Sequence, residues 1–279
     1  MIIVDDGSTD TTAEIIRKYL ISDNRIKYIY QQNKRLGAAR NTGIKAAKGD
    51  WVAFLDSDDL WVREKLAKQI EASSIDPTID IIFTDGYIFF DSDLTNIKPY
   101  PTISGKFTGK KMYKLQYNYN HIAVLSVLVK KEYIDKVGLQ DESTFIHGCE
   151  DWDYWIRLAK AGATFLGLED KLFYYRRHSF NMSSNHIQMS MAEAFVYIKN
   201  LEPSYLSPQF IKEKFQNALT PLIEELLHIN KVNEAKFLIK EFERIVPGTF
   251  QKFTKILIFI LGGKAYHPYK TLRKLTQIL

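Results

Sequence analysis

One run of ten residues, WVAFLDSDDL at positions 51–60, constrains this chain more than any other stretch. Its first half, Trp51 to Leu55, is mostly apolar and reads as a buried strand. Its second half sets Asp56, Asp58 and Asp59 at that strand's carboxyl end, where open α/β sheets place their ligands. Three carboxylates so close together repel one another unless a cation sits among them. Hard divalent cations such as Mg²⁺ or Mn²⁺ take oxygen ligands of this kind and bridge readily to phosphate. The plainer alternative is a solvated turn in which Asp59 caps a helix starting near Leu60. A turn alone needs no three acids behind so apolar a strand, which favours the metal.

Strand and helix patterns alternate on both sides of this run. Residues 2–5 read as a strand ending in Asp5-Asp6-Gly7-Ser8, followed by a capping box at Thr11 and Glu14 and a helix with Ile15, Ile16, Tyr19 and Leu20 on its buried stripe. A strand at 26–30, a helix at 38–47, a helix at about 60–73 and a strand at 79–84 continue the series. This alternation predicts an α/β fold with a mostly parallel, Rossmann-like sheet covered by helices. Further on, 87–90 reads as a strand, 91–109 as a loop, 123–129 as a strand and 131–137 as a helix. Gly148-Cys149-Glu150-Asp151 opens a helix, and strands follow at 165–168 and 173–176. From about residue 186 the pattern is helical, with segments at 187–201, 208–229, 232–246 and 250–261, which predicts two domains, 1–185 and 186–279.

The chain of 279 residues is long enough for one sizeable domain and an appendage. Its single cysteine, Cys149, excludes an internal disulfide and fits a reducing compartment. Met1 leads straight into IIVDD, so no signal peptide is expected, and the apolar run 256–261 is too short to span a bilayer. The expected location is the cytoplasm, with peripheral attachment at the inner face of the plasma membrane. The reason for attachment is the tail: from Arg244 to Leu279 there are seven basic residues and no acid, which leaves the rest of the +5 chain at −2. Aromatic and aliphatic residues interleave with these lysines and arginines, a composition suited to an anionic membrane surface and equally to a helical cap with solvated lysines. No nucleic-acid partner is expected, because the body is slightly acidic and carries no binding motif.

In a parallel sheet, the acids after residues 2–5 and those after 51–55 would face one crevice. Between them lies Lys34-Arg35-Leu36-Gly37-Ala38-Ala39-Arg40-Asn41, which opens a helix with two arginines, free backbone N–H groups and a glycine. Such a terminus suits a phosphate, so a nucleotide diphosphate would meet a metal on one side and Arg35 or Arg40 on the other. Asp151 begins a helix whose dipole favours its ionised form, making it a ready proton acceptor; its bland role is N-capping. Glu150, His147, Trp152 and Trp155 surround it in sequence, and aromatic faces beside carboxylates often hold sugar rings, although core packing places tryptophans at the same spacing.

VDDGSTD (4–10), LGAARNTGIKAAKGD (36–50), FLDSDD (54–59), CEDWDYWIRL (149–158) and YRRHS (175–179) stand in the order seen in family 2 inverting glycosyltransferases. The chain resembles that family over roughly residues 1–185. The resemblance implies a GT-A fold, a nucleotide-sugar donor (a UDP-sugar first among them), a glycan or lipid-linked acceptor, and Mg²⁺ or Mn²⁺. Carried over by motif, Asp5 and Asp6 would contact the base, Arg35 and Arg40 the diphosphate, and Asp56 the ribose or metal. Asp58 would ligate the metal with His178 as a further ligand, Asp151 would be the general base, and Glu150 and Trp152 would meet the acceptor.

Family members usually begin with an earlier strand and helix, and this chain starts at their second strand. The expectation is that the 279-residue form binds donor weakly, which tight UDP-sugar binding would overturn. Two rivals stand beside the transferase: an inactive sugar- or nucleotide-binding remnant, and a haloacid dehalogenase-type phosphatase using Asp56 and Asp58. The phosphatase motif wants Thr or Val where this chain has Leu60, and it leaves the Asp5-Asp6 and Glu150-Asp151 segments unexplained.

Overall fold

The structure, a computed structural model, describes residues 1–91, 93–179, 181–182 and 185–248. The expected helix at 250–261 and the basic tail lie outside the described residues. The chain forms two compact units, Met1–Ala192 and one from Glu193 onward.

The first unit is α/β, but its sheet is mixed. Strands β1 (Ile2–Asp5) and β2 (Lys27–Tyr30) pair in parallel as a two-stranded sheet, with helix α1 (Thr12–Ser22) between them in sequence. The larger sheet runs in the order β3 (Trp51–Ala53), β8 (Leu128–Lys130), β5 (Ile81–Phe90), β9 (Thr164–Arg177) and β4 (Leu60–Trp61). β6 (Asp93–Pro99) pairs with β5, and β7 (Gly105–Thr108) with β9. Only the β5–β9 pair in this sheet is parallel. β5 and β9 are its long central strands, and Ile81, Ile82, Phe83, Phe165 and Phe173 are buried with essentially no exposure.

Several local expectations give way to distant pairing. Leu60 and Trp61 do not start a helix; they pair antiparallel with Tyr174 and Phe173, and helix α3 begins at Lys65 (Lys65–Ile75). The Trp61 indole donates to the Leu125 carbonyl at 2.7 Å, which anchors this short strand. The loop expected over 91–109 contains β6 and β7, and residues 123–129 are a 3₁₀ turn followed by β8 rather than one strand. On α1 only Ile16 is buried, while Ile15 and Tyr19 are 50% and 58% exposed. Its start is held by the Asp10 carboxylate, which accepts the Thr12 N–H at 3.0 Å, and Thr11 makes no capping bond.

Helix α2 (Arg35–Ala46) organises the region around the acids. Asn41 is buried and fully bonded: its amide donates to the Gln140 carbonyl and to Glu142, each at 2.8 Å, and its oxygen accepts the Gln140 N–H. Gly37 lies so close to the 140–142 loop that an added Cβ would stand 2.8 Å from the Asp141 carbonyl oxygen. Gly37→Ala must therefore push backbone aside and is expected to cost about 1–3 kcal/mol. Urea denaturation would show the shift, and an unchanged midpoint would mean that the loop yields freely.

Helices α4 (Gly109–Asn118) and α6 (Glu150–Lys160) complete this unit, with α5 (Lys131–Val137) between them. Trp152, Trp155, Ile156 and Ala159 share the buried face of α6, as their spacing predicts. Helix α7 (His186–Asn200) runs across the unit boundary. In the second unit α8 (Pro208–His228) and α9 (Val232–Ile245) bury Phe215, Leu219, Leu222, Leu238, Ile239 and Phe242. Ser207 caps α8 by accepting the Phe210 N–H at 3.2 Å. No helix among the described residues is long and apolar enough to cross a membrane.

Candidate active site

α2 brings together acids from three separate stretches. Asp6, just after β1, accepts the Lys34 backbone N–H at 2.9 Å and the Gln31 amide at 2.6 Å, so it caps α2 from a distance. One turn on, the Arg40 guanidinium holds both oxygens of Asp56, at 2.8 and 3.0 Å. Arg40 is also within electrostatic reach of Asp151 and Glu150, at the start of α6. Its side chain is only 8% exposed, so the pair is largely desolvated.

Several of the expected site residues have partners inside the fold. Asp5 is 4% exposed and spent on structure: it accepts the Tyr28 hydroxyl at 2.6 Å and the Ser8 N–H at 2.8 Å, and the Tyr28 bond holds its carboxyl below the usual range. Arg40 faces carboxylates and forms an ion pair with Asp56 at 2.8 Å. Glu150 is 3% exposed and bonds His147 Nδ1 and the Gly148 N–H, at 2.9 and 2.8 Å. Trp152 is 4% exposed and its indole donates to the Gln116 carbonyl at 2.6 Å. Both are buried and hydrogen-bonded within the fold.

Asp151 is half-buried, with the Trp152 N–H donating to its Oδ1 at 2.7 Å and the Asn120 amide 3.5 Å from its Oδ2. Burial pushes its carboxyl up to about 6; Arg40 opposes that shift, and Glu150 and Asp56 add to it. The helix dipole alone would have kept this group low, but desolvation wins. The residue is a stronger base than an ordinary aspartate and is still ionised at neutral pH.

The 56–59 turn is clamped from β9. The Arg176 N–H donates to Asp59 Oδ1 at 2.8 Å, and its Nε donates to the Asp58 carbonyl at 2.6 Å. Asp59 is buried with Oδ2 unpartnered among the described residues, and burial pushes it up to about 7. It does not cap a helix, since α3 begins at Lys65. Sequence reasoning passed over Arg176, although it lies inside the YRRHS stretch, and over Asn120, for which no sequence signal exists.

Asp58 Oδ2 stands 3.2 Å from His178 Nε2. Among the described residues no three His, Cys, Asp or Glu side chains gather as a metal cluster. A carboxylate oxygen and an imidazole nitrogen are nevertheless a fitting donor pair for Mg²⁺ or Mn²⁺, whose remaining positions are commonly filled by substrate phosphate and water. A cavity of about 600 Å³ is lined by Arg35, Thr144, His147, Asn181, Met182, Asn185 and Gln188.

Comparison with known proteins matches these observations. The family profile described as Glycosyl transferase family 2 matches residues 1–138. The chain is 33% identical over 198 residues to the "putative teichuronic acid biosynthesis glycosyltransferase TuaG" of Bacillus subtilis, covering 71% of this chain and 75% of that one. It is 32% identical over 188 residues to the Escherichia coli "UDP-Glc:alpha-D-GlcNAc-diphosphoundecaprenol beta-1,3-glucosyltransferase WfaP", covering 66% and 68%. Among solved structures, S. aureus TarS 1–349 in complex with UDP-GlcNAc superposes with a TM-score of 0.68 at 17% identity, over 99% of this chain and 82% of that one. The mannosyltransferase PcManGT from Pyrobaculum calidifontis, in complex with GDP-Man and Mn²⁺, gives 0.52 at 15%, over 97% and 72%. The α/β fold is thus the GT-A fold, and the chain belongs to glycosyltransferase family 2.

Proposed function

We propose that this glycosyltransferase moves a sugar from a nucleotide-diphosphate donor to an acceptor hydroxyl with inversion, using Asp151 as general base. The observation that carries the reading is Asp151 itself: a carboxylate at a helix start, raised to about 6 and coupled through Arg40 to the Asp56 turn. A group with that affinity for protons is ionised at neutral pH yet basic enough to draw a proton from an attacking hydroxyl. As the acceptor oxygen bonds to the anomeric carbon, the bond to the diphosphate breaks and the hydroxyl proton passes to the Asp151 carboxylate. One displacement from the opposite face inverts the configuration. Arg40 keeps Asp151 ionised and fixes Asp56, and Asp6 and Asn41 hold α2 where Arg40 can do both.

Asp58 and His178 would hold the divalent cation, which when bound neutralises charge on the departing nucleoside diphosphate. Support for a nucleotide-sugar donor comes from the UDP-GlcNAc and GDP-Man complexes of the structural neighbours. The relatives' names support a role in bacterial polysaccharide assembly, with a UDP-sugar donor and a glycan or lipid-linked acceptor. Family membership speaks against the phosphatase, and the Arg40 clamp leaves Asp56 no freedom to act as a nucleophile.

The test is UDP release from a panel of UDP-sugars with Mn²⁺ and mixed glycan acceptors. Release that depends on both donor and acceptor supports the proposal; a chain that binds UDP but never releases it in turnover is the inactive remnant. Calorimetry separates the cation's role. Asp58→Asn combined with His178→Ala is expected to remove the Mn²⁺-dependent part of UDP affinity, about 10–100-fold. Equal UDP affinity with and without Mn²⁺ in the unaltered chain would rule out these ligands.

A further inference from the structure

The cavity has no acidic lining among the described residues. Its walls are Arg35 at the start of α2, Thr144 and His147 from the turn before α6, and Asn181, Met182, Asn185 and Gln188 after β9. About 600 Å³ is the size of a sugar-binding pocket. The carboxamides, hydroxyl and imidazole can donate to and accept from sugar hydroxyls. The His147 ring bonds Glu150 through Nδ1, which leaves Nε2 as its other hydrogen-bonding atom.

Arg35 is the only permanent charge among the described residues that line the cavity. It is exposed and no described residue forms a hydrogen bond or ion pair with it, in contrast to Arg40, whose charge is answered by Asp56. Its backbone is held at φ +73°, a left-handed conformation that disfavours a side chain of this kind. Strain of this sort persists where the surroundings enforce it, and here it sets an unanswered guanidinium on the rim of a polar cavity.

Resting on the glycosyl-transfer reading, we propose that this cavity is the acceptor subsite and that Arg35 selects an acceptor unit bearing an anionic group, a carboxylate or a phosphate. The His147–Glu150 contact joins the cavity wall to the residue preceding Asp151. A guanidinium pairs with either anion through two parallel hydrogen bonds, and neutral sugars gain nothing from it.

Ligand-observed NMR with the whole chain tests this without requiring turnover. The probes are methyl β-glucuronide, sn-glycerol 3-phosphate and methyl β-glucoside, each with and without UDP and Mn²⁺. At least one anionic probe is expected to bind about tenfold more tightly than the glucoside, to lose that advantage in Arg35→Gln, and to stay bound when UDP is added. Which anionic probe binds distinguishes carboxylate from phosphate recognition. Arg35→Gly, which removes the backbone strain, is expected to unfold at no lower urea concentration while losing the same advantage, so the loss cannot be misfolding. Equal binding of all three probes, or binding unchanged by Arg35→Gln, overturns the proposal. Displacement of the anionic probe by UDP also overturns it, and assigns Arg35 to the donor diphosphate. Glycosyl transfer stands or falls separately on UDP release.

Discussion

Asp151→Asn is expected to lower the rate of sugar transfer by about 10²–10⁴-fold while leaving UDP affinity unchanged. The amide matches the carboxylate in shape and can still meet the Trp152 N–H through its oxygen, but it cannot take a proton. In the unaltered chain kcat should fall as pH drops through about 6, because burial raises the Asp151 carboxyl to that value and only the ionised form acts. Stability should move the other way. A carboxyl whose folded value lies above its unfolded 3.8 favours the fold fully below that pH, and the contribution is lost as pH rises through about 6. At pH 8 the ionised group therefore strains the fold, and Asp151→Asn should be the more stable protein by roughly 1–3 kcal/mol, with the gain vanishing below pH 4. Urea midpoints at the two pH values, set beside transfer rates, check both halves. A variant that is inactive and also less stable at pH 8 would assign Asp151 a structural role instead.

Arg40→Met should be the most damaging single change in the site. It strips the counter-ion from Asp56 and brings that carboxylate, Asp151 and Glu150 face to face with no cation among them. Breaking a desolvated pair on one side costs about 3–5 kcal/mol, because the remaining charge has no partner. Where the protein still folds, the acid limb of its pH profile should move above 6, since Arg40 is the group that holds Asp151 down. Adding Asp56→Leu to Arg40→Met removes the orphaned charge and should restore much of the stability without restoring transfer. If stability returns with neither variant, packing rather than charge is the reason Arg40 is there.

How much of this was legible in the sequence depends on the range of the interaction. Helices set by local pattern match closely: Lys131–Val137 forms as read, and α6 opens at Glu150 with its tryptophans inward. The motifs also identified which stretches converge. Strand direction did not follow, because alternation of strand and helix says nothing about whether β8 meets β3 and β5 head to tail. Leu60 and Trp61 carry no mark of a strand; they become one only because Phe173 and Tyr174 lie alongside them. Within the site, sequence singled out Asp5, Arg40 and Glu150 but could not show that each has an internal partner in the fold. The same holds for Asp151, where dipole and desolvation oppose each other and only the folded environment shows which is larger.

The most direct test of this account is the titration of the Asp151 carboxyl carbon by ¹³C NMR, assigned by difference against Asp151→Asn. A value near 6, moving upward when Arg40 is replaced by Met, is the predicted result. A value near the ordinary 3.8, indifferent to Arg40, would contradict it.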